Sequence, residues 1–266
     1  MVELSSTRDV LAGLARANEI EARAYTLHGD TLHALQDAAR RGAHVLVELE
    51  GNPYNNPHLA RENQRVVNEL RAAGVDARLG DPVHAKTIVA DGTLYLDDKN
   101  FGPHDLVLRA DDATDVRSVA MVKHEALAAE AQLLRGASAA DDIIVESESF
   151  SCCNAVFSAL ARAAGRGASP RLLVCKREAS GNARERGLLQ QLARAGVRVR
   201  ICNDSEKLAA AGDGAWIGSA NATVAFDRAD LPDWGLRTND PSIVHAVRAR
   251  IEAVWSSARD LKSQKA

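Results

Sequence analysis

Two stretches of this chain carry the same elements in the same order, and that repetition limits the fold more than any other feature. Residues 38–43 read AARRGA and residues 163–168 read AAGRGA. Each closes an amphipathic segment, Leu32–Ala43 or Val156–Ala168. Each is followed by an apolar run with strand character, HVLVELE from His44 or RLLVCKRE from Arg171. A second helical segment follows, ENQRVVNELRAAGV or RERGLLQQLARAGV, with Gly74 or Gly196 where a left-handed C-cap is expected. Short strands DARL and RVRI come next. Lys86 and Lys207 then stand fourteen residues before an asparagine, Asn100 and Asn221, with a turn (Asp91-Gly92 or Asp213-Gly214) and an apolar strand between. Both copies end in a strand, DLVLRA or WGLRTN, and a helix, VRSVAMVKHEALAAEAQLL or IVHAVRARIEAVWSSA.

Six elements matching in order predict a duplication of one α/β unit, with helices flanking mixed sheets. The small, polar run Gly136–Asp142 marks the junction, giving halves 1–138 and 139–266. The opening thirty residues predict one helix and a strand near Glu21–Leu27, and the closing DLKSQKA reads as a frayed end.

Composition removes some functions without choosing one. The apolar share of 46% is ordinary for a globular chain, and the net charge of −3 gives no strong electrostatic footprint for nucleic acid or anionic lipid. The first residues lack the basic start and apolar run of a signal peptide, and no stretch of about 18 apolar residues occurs. Of the four cysteines, Cys152, Cys153, Cys175 and Cys202, none forms a zinc-type pattern, and buried free thiols are the expectation. A cytoplasmic protein without a metal is expected.

The chemistry-bearing residues lie inside the repeat. The first copy holds His84-Ala85-Lys86 and, four residues on, Asp91; the second ends in Gly218-Ser219-Ala220-Asn221. A phosphodiester is anionic, so a site for it needs cations and hydrogen-bond donors around the non-bridging oxygens, which lysine and asparagine supply. Residues i and i+2 of a strand share a face, so His84 and Lys86 can address one phosphate. A neutral imidazole can attack phosphorus and a protonated one can protonate the leaving oxygen.

This H-x-K-x4-D and G-S-x-N pair, set in a duplicated unit, resembles the signature of the phospholipase D superfamily, and the resemblance covers roughly residues 20–258. It implies two phospholipase D-like units related by a pseudo-twofold axis, in α-β-α-β-α layers, with one site between the halves. It also implies a phosphohistidine on His84, no metal or other cofactor, and a phosphodiester substrate such as a phospholipid, a nucleic acid or a small diester. A monomer with an internal pseudo-dyad is expected, with a homodimer as the alternative. The implied site residues are His84, Lys86, Asp91, Asn100, Lys207, Ser219 and Asn221, with Asp91 as scaffold more than chemistry.

The chain departs from the pattern in both copies. Aligned on the lysines, the second histidine position is Ser205 and the second aspartate position is Gly212. The first Gly-Ser position reads Asp97-Asp98. A serine does not replace imidazole as an acid near pH 7, and Asp98 beside a phosphate repels it unless a lysine pairs with it. His28, His58 and His104 stand in loops, where solvated side chains are the first expectation and His104 the nearest replacement acid. Asp105 and Asp233 follow their asparagines, at positions where such a family has an acid that orients histidine. GNPYNNPH from Gly51 and its counterpart ASGNARE read as turn-rich connections, and Trp216 as a core aromatic. Two functions follow: a phosphodiesterase or transferase acting through His84, or a catalytically weak relative that binds a phosphate-bearing ligand or a protein.

Overall fold

A computed structural model describes residues 2–53, 56–112, 119–151, 154–176, 183–223 and 231–261. The chain divides into two compact units, Met1–Ser118 with Leu231–Trp234, and Val119–Asp230 with Gly235–Ala266.

The first unit is built on seven strands. They are β1 (Val2–Ser5), β2 (Glu19–Ala24), β3 (His44–Glu50), β4 (Asp76–Gly80), β5 (Lys86–Ala90), β6 (Thr93–Asp97) and β7 (Val107–Ala110), in the order β1-β7-β6-β5-β2-β3-β4. β2, β3 and β4 are parallel, and β5, β6, β7 and β1 extend the sheet antiparallel. Its helices are α1 (Thr7–Leu14), α2 (Gly29–Arg40) and α3 (Pro57–Ala72). Strand alternation sets the core: Ile20, Ala22 and Ala24, with Val45, Val47 and Leu49, form one cluster with Leu35 of α2 and Val67 and Leu70 of α3. Each large aliphatic side chain removed from water contributes about 1.5–3 kcal/mol. The opposite face of β2–β4 is polar, with Glu48 paired across the strands to Arg23 at 2.7 Å and Arg78 at 2.8 Å.

The second unit has eight strands: β8 (Val119–Val122), β9 (Ile143–Ser147), β10 (Arg171–Cys175), β11 (Arg198–Cys202), β12 (Leu208–Ala211), β13 (Gly214–Gly218), β14 (Pro232–Thr238) and β15 (Arg259–Asp260). Their order is β15-β11-β10-β9-β12-β13-β14-β8. Its helices are α4 (Lys123–Gly136), α5 (Ala155–Gly165), α6 (Ala183–Arg194) and α7 (Pro241–Ser257). Six strands of each sheet follow one order, β7-β6-β5-β2-β3-β4 in the first and β14-β13-β12-β9-β10-β11 in the second. The fold is thus α/β, with the mixed sheets that the repeat predicts. β9, β12 and β13 are buried at every position, and both α4 and α7 pack on β12 and β13. That is why these strands read as continuous apolar runs, while β2 alternates.

The shared turns rest on shared backbone geometry. Gly74 (φ 90°) and Gly196 (φ 101°) are left-handed after α3 and α6. At the β5–β6 turn Asp91 has φ 46°, and its equivalent at β12–β13, Gly212, has φ 54°. An aspartate tolerates this conformation and a glycine adopts it freely, so the turn survives the loss of the carboxylate at Gly212.

Several boundaries differ from expectation. The segment from Val119 to Val122, expected as the start of a helix, is β8, placed beside β14. Sheet pairing overrides the helical period there, and the helix begins only at Lys123. Before α1 an unforeseen edge strand, β1, pairs antiparallel with β7, and Ser6 and Asp9 close a capping box on α1. The next strand starts at Glu19 and ends at Ala24. Near the C-terminus Asp260 belongs to β15, in register with Arg200, and residues 262–266 lie outside the described residues. The sequence repeat ends near residue 138, whereas packing divides the chain after Ser118, because β8 and α4 join the second unit. Among the described residues, no helix is long and apolar enough to cross a membrane.

Trp216 lies buried on β13, as a core aromatic. Gly235 on β14 makes room for it: a Cβ there would stand 2.8 Å from Trp216 Nε1 and 2.8 Å from the Ala126 Cβ of α4. Gly235→Ala is expected to destabilise the protein by about 1–3 kcal/mol through overpacking, read as a lower urea midpoint. An unchanged midpoint would contradict this account of the β13–β14–α4 contact.

Candidate active site

His84 is placed by backbone hydrogen bonds before its side chain does anything. The N–H groups of His84 and Ala85 both donate to the Pro232 carbonyl, at 2.9 and 2.8 Å. This sets the next residue, Asp233, beside the imidazole, and His84 Nδ1 lies 2.8 Å from Asp233 Oδ1. Both side chains are buried. The other ring nitrogen, Nε2, lies 3.2 Å from Lys86 Nζ. An ammonium only donates, so Nε2 is the acceptor and Nδ1 carries the hydrogen given to Asp233. That is the neutral tautomer with its lone pair on Nε2, the atom that could attack phosphorus.

Tyr25, just past the end of β2, walls this pair. Its ring is T-shaped to the His84 ring at 5.4 Å between centroids, and Lys86 Nζ lies 5.8 Å from its centre. The Tyr25 backbone is fixed from below: buried Asn63 of α3 donates to the carbonyls of Tyr25 (2.8 Å) and Glu50 (2.9 Å). Thr26 then donates to Asn100 Oδ1 at 3.2 Å. With the acceptor end of that amide occupied, Nδ2 is the end that can bind an anion.

The loop carrying Asn100 is held by Asp97, which sequence reasoning named only as a replaced glycine. Asp97 Oδ2 accepts from the N–H of Lys99 (3.0 Å) and Phe101 (2.6 Å), and the Asp97 carbonyl accepts from Trp234 Nε1 at 2.9 Å. Phe101 adopts φ 56° in this turn. Asp97, not Asp98, is in register opposite Lys86. It is fully buried, and Oδ1 has no hydrogen-bond partner among the described residues. Burial first, and then the Asp105 carboxylate, push the Asp97 carboxyl up to about 7. Asp98 is also fully buried. The alignment with Gly218 was the signal that marked Asp97.

The two candidate orienting acids have different fates. β6–β7 and β13–β14 registers make Asp105 and Asp233 equivalent. Asp233 meets His84, while Asp105 accepts from the N–H of Gly102 (2.5 Å) and pairs with Lys99 at 3.0 Å. Asp91 stands at the other end of β5 from Lys86, where its carboxylate accepts from the N–H of Asn18 (3.1 Å) and Glu19 (2.9 Å). It anchors the start of β2. His28, His58 and His104 are exposed. Asn56 caps α3, while Tyr54, Asn55 and most of ASGNARE lie outside the described residues, as do Cys152 and Cys153. Cys175 and Cys202 are buried free thiols, and burial pushes the Cys202 thiol up to about 12.

In the second unit the lysine and asparagine are held in a parallel way. Lys207 is buried and donates to the Ser205 carbonyl at 2.7 Å. Its ammonium also lies 3.4 Å from Glu148 Oε2. Asn221 Oδ1 accepts from the Ser149 N–H at 3.3 Å, so this amide too has its acceptor end occupied. Ser219 is fully buried. Sequence reasoning missed Tyr25 and Glu148, since their places follow from strand register and not from any motif. Among the described residues, no group of three or more histidine, cysteine or acidic side chains is arranged to hold a metal ion.

No protein-family model matches the chain, and no curated protein matches it. Solved structures do. Phosphatidylserine synthase from Haemophilus influenzae Rd KW20 superposes with a TM-score of 0.67 at 10% identity, over 97% of this chain and 87% of that one. Polyphosphate kinase from Porphyromonas gingivalis gives a TM-score of 0.61 at 16% identity, over 96% of this chain and 50% of that one. The chain therefore spans about half the length of that kinase. At these identities the likeness is one of fold, and this chain has the fold of both structures.

Asp97 gives a test of the site's electrostatics. Its folded-state pKa is raised above the ordinary carboxylate value of 3.8 to about 7. The folded state therefore holds the proton more tightly, and this contribution to stability is complete below about pH 4 and lost as pH rises through about 7. Asp97→Asn keeps an acceptor for Lys99 and Phe101 without the charge. Above pH 7 it is expected to be more stable than the parent by on the order of 1–3 kcal/mol, the cost of a buried unsatisfied group. Urea unfolding at pH 5 and pH 8 reads the difference. Equal pH dependence in the two proteins would refute it.

Proposed function

We propose that this chain is a phosphodiester hydrolase or transferase that works through a phosphohistidine on His84. The observation that carries it is the ordered set Asp233–His84–Lys86. An acid accepts from Nδ1–H, so the lone pair is on Nε2, and an ammonium sits beside it. In the first step, Nε2 forms a bond to phosphorus as the bond to the leaving oxygen breaks. The imidazole becomes positive, which Asp233 stabilises through Nδ1–H. Lys86 and the Nδ2 end of Asn100 take the charge on the non-bridging oxygens. In the second step, water or an alcohol attacks the same phosphorus, its proton leaves to a base, and the N–P electron pair returns to Nε2.

The proposal extends to Lys207, Ser219 and Asn221 as further donors to the phosphate. What supports this is that Lys207 and Asn221 are positioned like their first-unit equivalents, each amide with its donor end available. It also calls for no metal step, because lysine ammoniums supply the positive charge. Lipid, nucleic-acid and small diesters all suit this chemistry. The similarity to a phosphatidylserine synthase and a polyphosphate kinase, each named for work on a phosphate-containing compound, agrees with phosphoryl chemistry in general.

The test is incubation with a phosphorus-labelled nitrophenyl phosphodiester, followed by alkaline denaturation and peptide mapping. Acid-labile label is expected on His84, with label and turnover both absent in His84→Ala. Asp233→Asn is expected to lower the rate of adduct formation by about 10²–10⁴-fold, the range for groups that assist proton placement. No adduct and no turnover in the wild type would leave the weak, phosphate-binding relative as the surviving alternative.

A further inference from the structure

The second unit holds a cavity that none of the motif residues lines. Its volume is about 630 Å³, within the usual range of small-molecule sites. It lies beyond the carboxyl ends of the parallel strands β10 and β11. Open α/β sheets bind ligands in the crevice outside those ends. Lys176 enters the wall just after β10, Asn203 and Asp204 just after β11, and Ser257 from the end of α7. Arg259 and Asp260 of β15 close it.

Four charged side chains line this space, and the two signs are not in the same state. Both acids are already engaged by arginines that lie outside the lining. Asp204 pairs with Arg250 at 3.1 Å and Asp260 with Arg200 at 2.8 Å. Arg250 is shared with the buried Glu206, at 2.7 Å, and Asp204 also accepts from the Ser205 N–H at 2.8 Å. Lys176 and Arg259 are exposed, and neither side chain has an ion-pair or hydrogen-bond partner among the described residues. The charge left to be met in this cavity is therefore positive.

Strand register separates the two cations. Arg259 is opposite Ile201 of β11, and Lys176 follows Cys175, which is opposite Cys202 of the same strand. β15 and β10 flank β11 on its two sides. Lys176 and Arg259 thus stand about two strand spacings apart, roughly 10 Å. One small anionic group does not bridge that span, whereas the two ends of one ligand can. The remaining wall sets the character of the ligand between its ends. Asn203 and Ser257 offer an amide and a hydroxyl, and among the described residues no aromatic ring lines the cavity. A nucleobase would find no ring to stack on, and a hydroxylated carrier would find polar partners.

We propose that this cavity binds a small hydrophilic ligand with an anionic group at each end, one held by Lys176 and the other by Arg259. The guanidinium forks onto phosphate or carboxylate oxygens, and the lysine meets the far group as a point charge. Phosphate and carboxylate share this chemistry. This inference does not rest on the phosphohistidine mechanism, since it uses none of the residues assigned to it.

The experiment is calorimetric titration of the full-length protein with fructose 1,6-bisphosphate and with glucarate, the phosphate and carboxylate arms, beside glucose 6-phosphate and glucose. At least one of the two doubly charged ligands is expected to bind more tightly than glucose 6-phosphate, with no heat from glucose. Lys176→Ala and Arg259→Ala are each expected to weaken that ligand about 10–100-fold, the value of a hydrogen bond to a charged group. Both are exposed positions, so unchanged urea midpoints are expected. Asp260→Asn removes a negative charge from the wall and is expected to tighten binding, a gain that a purely structural role for this residue would not give. Lys86→Ala is expected to leave the affinity unchanged, which separates this cavity from the His84 site. Absence of millimolar or tighter binding by both doubly charged ligands would overturn the proposal. So would binding that Lys86→Ala abolishes while Lys176→Ala and Arg259→Ala leave it intact.

Discussion

The arrangement around His84 depends on one backbone carbonyl. Pro232 O accepts two N–H groups, from His84 and Ala85, and this fixes which residue meets the imidazole. The pairing joins residues 149 positions apart in sequence, and it is made by a four-residue stretch of the second repeat that belongs to the first compact unit. Trp234, next along, donates to the Asp97 carbonyl and ties the same stretch to the loop that carries Asn100. Asp233, His84 and the loop that carries Asn100 are therefore registered by one short segment. A side chain aimed by main-chain bonds loses little entropy when it aims, and that is the condition for a preorganised group.

The cost of this order is visible in the buried acids. Asp97 spends one oxygen on two backbone N–H groups and leaves the other without a partner, so its proton is retained to about pH 7. Its equivalent, Gly218, has no such load and begins the intact Gly-Ser of the second copy. Asp105 shows the reverse case. It is the equivalent of Asp233, and the histidine equivalent to His84 is Ser205. Without an imidazole to accept from, Asp105 closes its own loop through Gly102 and Lys99. The altered histidine and the altered role of the acid are two ends of one change.

The repeat made the strand order legible, because each copy keeps the same alternation of strand and helix. It also marked His84 and Lys86 as a pair, and their side chains do meet at 3.2 Å, although β5 begins only at Lys86 and His84 lies before it. What stayed hidden was everything fixed by register between distant segments. Nothing near His84 in sequence points to Asp233 over Asp105. Asp98 drew notice as the acid replacing serine, yet the neighbour registered opposite Lys86 is Asp97. The Val119–Val122 run kept a helical period up to the residue where a neighbouring strand captured it. Glu148 follows an apolar strand and precedes a polar turn, and only the alignment of β9 with β2 makes it the equivalent of Tyr25.

Equivalence of position is also what separates damage from substitution in the second copy. A site decaying without constraint would lose its polar groups independently. Here the second unit has lost an imidazole while the position that packs on the first unit's imidazole carries a carboxylate. The lysine between them remains buried, touching both, and the asparagine keeps the same support from the residue after the acid. A buried ammonium is costly to retain unless its surroundings compensate it, and Glu148 and the Ser205 carbonyl do so. The second unit thus keeps a charged, ordered group of residues where its histidine is gone.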